Sequence, residues 1–164
     1  MGWFNWLTIF IFTFVLMELA AFLLHKFVMH GFLWYLHQDH HVRNKNRKWE
    51  KNDFFALVFA IPSFCFILID SLLGIPSIGA VGFGIMAYGL AYFLIHEVII
   101  HRRMVLFPRL DNWYLEALNA AHKVHHANQE KENPYSLGML VVPLNYFQNA
   151  RIKKSKRRKQ LDFV

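Results

Sequence analysis

Residues 4–41 read FNWLTIFIFTFVLMELAAFLLHKFVMHGFLWYLHQDHH. Up to residue 24 this stretch is apolar except for Asn5, Thr8, Thr13 and Glu18. As a helix rising ~1.5 Å per residue, positions 4–24 reach about 30 Å, enough to cross the hydrocarbon core of a bilayer. A soluble helix of that length would show a polar face at a 3.6-residue period, and none is visible. Beyond residue 24 the chain changes character: His25, His30, His37, His40 and His41 fall within the next 17 positions. An apolar span that runs into a histidine cluster is the unit from which the rest of the chain can be read.

Apolar runs of this length recur. Residues 54–73 form a second apolar run, interrupted by Pro62, Ser63, Asp70 and Ser71. A third extends from about residue 78 to 95 and on to 100, and Gly74, Ile75, Pro76 and Ser77 read as the turn between them. The predicted fold is therefore all-α: an integral membrane helical bundle of three spans, forming one domain over residues 1–164. Residues 137–147 are a fourth candidate span. They are few and contain Pro143, so an interfacial or re-entrant placement is expected. The first run lacks the basic n-region and small-residue cleavage pattern of a signal peptide and reads as a retained anchor.

Composition agrees. The chain is 55% hydrophobic, with 17 Phe, 6 Tyr and 5 Trp, yet carries a net charge of +7. That is too apolar for a disordered or nucleic-acid-binding tail protein, and implies that apolar and basic residues are segregated. Cys65 is the only cysteine, which excludes an internal disulfide, a disulfide-stapled secreted module and a cysteine-based zinc site. No Lys or Arg precedes Lys26, and none lies between Lys51 and Arg102. Three spans place all 18 basic residues on one side. The positive-inside rule makes that side the cytoplasm, with the N-terminus outside, in the inner (cytoplasmic) membrane. The basic tail, residues 150–164, invites a nucleic-acid reading, but no stacking side chain interleaves its charges. It is expected to meet anionic headgroups, and no nucleic-acid partner is expected.

All ten histidines fall into four boxes. His25 and His30 form HX4H; His37, His40 and His41 form HX2HH; His96 and His101 repeat the first spacing; His122, His125 and His126 repeat the second. On an α-helix, positions i, i+3 and i+4 share a face, so HX2HH is expected to aim three imidazoles at a common point. Positions i and i+5 diverge by about 140° at ~100° per residue. They serve one site only at a helix end, across a π-type turn, or by reaching different metals. Both HX4H boxes lie at or beyond span ends, and three spans bring all four boxes to the same surface. All-imidazole ligation suits iron, zinc, copper or nickel. Ten histidines are too many for one ion and about right for two, and two irons with open positions can activate dioxygen. Glu18, Asp39, Asp53 and Glu97 are candidate partners that set imidazole tautomers. Glu18 in particular, costly in lipid, is expected to face a polar cavity.

Four boxes in this order resemble the fatty acid hydroxylase superfamily of membrane di-iron enzymes and, more closely, the bacterial β-carotene hydroxylases. The resemblance runs through Met17-Glu18, His25 to Gly31, Trp34, His37 to His41, Glu50, Asn52-Asp53, Ala56 and Phe59-Ala60. It continues through Ala87-Tyr88-Gly89, Tyr92-Phe93, Ala121-His122, His125-His126, Ser136 and Gly138. Glu97, where Asp is expected after the histidine, and the long basic tail depart from the pattern. The resemblance implies hydroxylation at C3 of the β-ionone rings of β-carotene, giving β-cryptoxanthin and then zeaxanthin. It implies two iron ions, O2 as co-substrate, a carotenoid drawn from the bilayer and a reduced ferredoxin-type electron donor, with the active site facing the cytoplasm. All ten histidines become metal ligands, and Trp34, Tyr88 and Tyr92 become candidate linings of the ring pocket. A fatty-acid or sterol hydroxylase is the alternative within enzymes. A metal transporter would place ionisable ligands at the bilayer midplane rather than at span ends, and a non-catalytic metal-stabilised scaffold needs no open coordination position.

Overall fold

The computed structural model describes residues 1–42, 49–108, 110–127 and 138–161. Helix α1, Trp3–Leu23, continues without interruption into a π-helical segment, Leu24–Phe32. Helical geometry breaks at Gly31, and the chain re-enters a two-turn helix, α2, Trp34–His41. A 3₁₀ turn, Lys51–Phe55, opens α3, Ala56–Leu73. That helix closes on Gly74, whose φ of 66° is the left-handed conformation a helix C-terminus favours, with its amide donating to the Asp70 carbonyl at 2.8 Å. Pro76 then opens α4, Pro76–Phe93, where its missing N–H costs nothing. Helix α4 also passes into a π-helical segment, Leu94–Ile100. Helices α5, Trp113–Ala127, and α6, Leu144–Leu161, complete the described chain.

Three of these segments, Trp3–Phe32, Lys51–Leu73 and Pro76–Ile100, are long and apolar enough to cross a membrane. The chain is a multi-pass membrane protein. Helix α4 is the middle one, packed on both α1 and α3. It can be approached closely because it presents glycine: a Cβ on Gly82 would lie 2.8 Å from Ile67, and one on Gly84 would lie 2.8 Å from Thr13. Small residues that let backbones meet are what helix packing in lipid requires, since the hydrophobic effect does not draw helices together there. The outward faces of α1 and α3 carry exposed Phe4, Phe12, Val15, Phe64 and Leu72, as lipid-facing surfaces do.

The fourth candidate does not become a span. Leu137 lies outside the described residues. Residues 138–143 form no helix, and 144–147 belong to α6, whose later part carries the basic run. The tail is helical as far as Leu161. It is tied back to the protein: the Arg151 guanidinium lies 4.0 Å over the Trp113 ring, Lys154 Nζ donates to the Asp111 carbonyl at 2.6 Å, and Arg157 pairs with Glu116 at 2.6 Å. Ala150 completes a small core with Ala117, Leu118, Ala121 and Val142.

Candidate metal centre

The helical rule for i and i+5 is broken where the histidines need it broken. The His101 amide donates to the His96 carbonyl at 2.9 Å, and Leu33 N to Val28 O at 2.9 Å, both five residues apart. A turn closed at i+5 carries an extra residue and brings residue i+5 much closer to the angular position of residue i than an α-helix does. The His25 and His30 rings accordingly sit 5.1 Å apart, and the His96 and His101 rings 4.5 Å apart. Of the three routes open to an HX4H pair, the chain uses the π turn.

The HX2HH boxes behave differently from the expectation of one common point. His25, His30, His37 and His125 converge in one group, and His40, His101, His122 and His126 in another, with ring nitrogens in each group within 4.8 Å of one another. His41 joins the first group, its Nε2 3.1 Å from that of His37, and His96 joins the second, its Nε2 3.1 Å from that of His40. Each HX2HH box therefore gives its i and i+4 rings to one group and its i+3 ring to the other. The reason is angular: on a helix, i+4 lies about 40° to one side of i and i+3 about 60° to the other. One helix face aimed between two points serves both.

Behind the rings stand groups that set the protons. His37 Nδ1 donates to Asn52 Oδ1 at 2.7 Å, His40 Nδ1 to Glu50 Oε2 at 2.8 Å, and His96 Nδ1 to Glu97 Oε1 at 2.6 Å. These oxygens accept, so each ring carries its proton on Nδ1 and turns a bare Nε2 inward. Burial, aided by neighbouring imidazoles, holds His40 and His122 well below the usual histidine range, and burial takes His37 down to about 2. The rings of His37, His40 and His122 are therefore neutral at pH 7. The Nε2 atoms of His40 and His96, both rings buried, face each other at 3.1 Å. His126 Nε2 is likewise buried with no hydrogen-bond partner. A donor set of neutral imidazole nitrogens fits a borderline transition metal and does not suit magnesium or calcium.

The carboxylates divide by role. Glu97 contacts His96 directly. Asp53 sits one step back: Arg103 makes two bonds to it, at 2.5 and 2.8 Å, and a third to Glu97 at 2.9 Å. Burial pushes the Glu50 carboxyl up to about 7, against the nearby Arg103 charge. Two of the candidate partners make other contacts. Asp39 accepts the Lys51 amide at 2.8 Å rather than an imidazole proton, so it ties α2 to the segment before α3. Glu18 meets no ring in the described contacts. It accepts the amides of Met139, Leu140 and Val141 at 2.9–3.0 Å and the Tyr88 hydroxyl at 2.8 Å. Irregular backbone beside a span must be satisfied from within the protein, and Glu18 does this. Among the aromatics, Trp34 packs on His30 and His41 at 5.0 and 5.3 Å, and Tyr92 on His96 at 5.0 Å, whereas Tyr88 is fully buried against Glu18. Spacing rules gave no role to Glu50, Asn52 or Arg103. The only signal for the first two was their place in the family resemblance.

The two groups differ in access. The five first-group rings, His25, His30, His37, His41 and His125, are all buried. A cleft reaches the second group, bordered by Ile100, Asn119 and Lys123 beside His40, His101, His122 and His126.

The fatty acid hydroxylase family model matches residues 10–143, a segment that contains both histidine groups. The chain belongs to the fatty acid hydroxylase family. Within it, the chain is 39% identical to a β-carotene hydroxylase from Pantoea ananas, covering 85% of this chain and 78% of that one. It is 35% identical to one from Pseudescherichia vulneris (77% and 70% covered) and 33% to one from Paracoccus sp. strain N81106 / MBIC 01143 (80% of each). No solved structure matches this hydroxylase family member.

Proposed function

We propose that this chain hydroxylates C3 of the β-ionone rings of β-carotene, giving β-cryptoxanthin and then zeaxanthin, with two iron ions held by the ten histidines. The observation that carries the reading is the pair of five-histidine groups at one end of a membrane bundle, with ring nitrogens converging within each group. The names of the relatives supply the substrate. For each ring, one C–H, one O2, two electrons and two protons give one C–OH and one water. The irons, when bound, supply the reduction of dioxygen and the oxidation of the C–H bond, which no side chain can do.

The chain's own residues do the rest. Asn52, Glu50 and Glu97 hold the Nδ1 protons of His37, His40 and His96, so that each Nε2 stays available for an ion. The carotenoid partitions into the bilayer and presents a ring end between the spans, where Trp34 and Tyr92 border the imidazoles. Electrons come from a reduced ferredoxin-type donor on the cytoplasmic side of the inner membrane, steered by the basic residues gathered there.

Expression in a β-carotene-accumulating bacterium, with pigment chromatography under heavy dioxygen, tests this reading. Cryptoxanthin and zeaxanthin labelled at the hydroxyl oxygen are expected. Absence of both from cells holding folded, iron-loaded protein rejects the substrate, and label arriving only from water rejects the oxygenase.

A further inference from the structure

The duplication of the boxes is not a duplication of sites. His25, His30, His37 and His41 from the first half serve one group, while His40, from the same two-turn helix, crosses to the other. In the second half His96, His101, His122 and His126 serve the other group, and His125 crosses back: its Nε2 lies 3.4 Å from that of His30, and its ring 4.6 Å from those of His25 and His41. Neither half can complete its own five-nitrogen set. We propose that this exchange couples the two metal positions, so that the chain takes up its two ions together; the inference rests on the two-metal reading above.

The coupling has a mechanical basis. Helix α2 has eight residues, well short of the ~12–15 a helix needs to hold its shape unaided in water. Its orientation is set by what its side chains grip. An ion in the first group fixes His37 and His41, and with them the helix, so His40 is already aimed when the second ion arrives. Helix α5 works in the reverse sense: an ion in the second group fixes His122 and His126 and presents His125 to the first. The segment before α3 makes the two turns of α2 move as one, because Glu50 grips His40, the Lys51 amide grips Asp39 and Asn52 grips His37. The second ion therefore binds without repeating the ordering cost of the first, which is positive cooperativity by shared ordering.

The test is a titration of the full-length, metal-stripped chain in detergent with Co(II), a probe that does not turn over, read by native mass spectrometry. Two independent, equal sites leave half of the protein with one ion at half saturation. Coupling of about 100-fold reduces that form to roughly a tenth. A one-ion form at half or more overturns the coupling, while saturation at a single ion overturns the two-metal reading itself. The same titration of His125→Ala is expected to weaken both ions by tenfold or more; weakening of one ion alone shows that the exchanged ring does not link the sites.

Discussion

Arg103 illustrates how much a single side chain outside the histidine boxes can control. Its guanidinium spans Asp53 and Glu97 at once, and the Glu97 carboxylate it holds is the acceptor for the His96 Nδ1 proton. Arg102, the residue before it, adopts a φ of 52°, rare outside glycine, which turns the chain after the π segment so that Arg103 meets both acids. The bonds to Asp53, together with those to Glu97, keep the guanidinium firmly protonated. Arg103→Gln leaves two carboxylates close together without a counter-charge, at a cost of about 2 kcal/mol. It also lets Glu97 swing off His96. Loss of such an outer partner weakens metal binding by about 10–100-fold. Iron retained after a timed chelator challenge is expected to fall by that factor, with Arg103→Lys in between because an ammonium cannot form the planar two-bond grip. Retention equal to the unaltered protein in both variants would show that Glu97 holds its place alone. The proton inventory shows why this residue escaped the sequence: ligand spacing names the atoms that touch an ion, whereas Asn52, Glu50 and Arg103 approach from other segments and obey no spacing.

At the scale of elements, Glu18 joins two parts of the chain that are 121 residues apart or more. Its carboxylate gathers three successive amides, so residues 139–141 sit against α1, and Tyr114 adds a bond from its hydroxyl to the Leu140 carbonyl at 2.6 Å. Gly138 permits the bend: a Cβ there would run into the Val141 carbonyl. Glu18→Gln keeps the shape but turns a donor toward donors, and each lost charged bond is worth about 1.5–3 kcal/mol. Faster hydrogen exchange at the amides of 139–141, read by mass spectrometry, is the expected result, and unchanged exchange would mean the loop is held by other contacts. The apolar runs were legible because length and hydropathy alone define a span, so α1, α3 and α4 fall where residues 4–24, 54–73 and 78–100 place them. The two π segments were legible only as a requirement, since the i and i+5 spacing demands an irregularity without saying which. The partition of the HX2HH boxes was not legible, because face-sharing on a helix leaves open whether one point or two lie in front of the face. Glu18 was legible as an acid too costly to leave in lipid and was expected to face a polar cavity, but amides 121 residues away leave no periodic trace.

For the whole molecule, the ends of three antiparallel spans decide where chemistry can occur. Helix α1 runs into the histidines at its C-terminal end, α3 leaves them at its N-terminal end, and α4 returns to them, while the Gly74 turn lies at the opposite end. An odd number of crossings puts the two termini on opposite sides. A fourth crossing by 138–161 is excluded on cost: residues 138–143 are irregular, and each Lys or Arg of the run after residue 150 would cost about 2.5–3.5 kcal/mol at the membrane centre. Instead Arg151, Lys154 and Arg157 fold one face of α6 onto α5, leaving Lys153, Lys156 and Lys159 outward, where anionic headgroups on the histidine side can meet them. On the proposed reading, the positive-inside rule makes that side the cytoplasm. A reporter inserted after residue 76 is therefore expected to be active only outside the cytoplasm, and one fused to the C-terminus only within it. Both reporters active on one side would break the odd count. The histidine end would then have to be reached by a different set of crossings, and the electron donor proposed above would lose its access to the cleft beside Lys123.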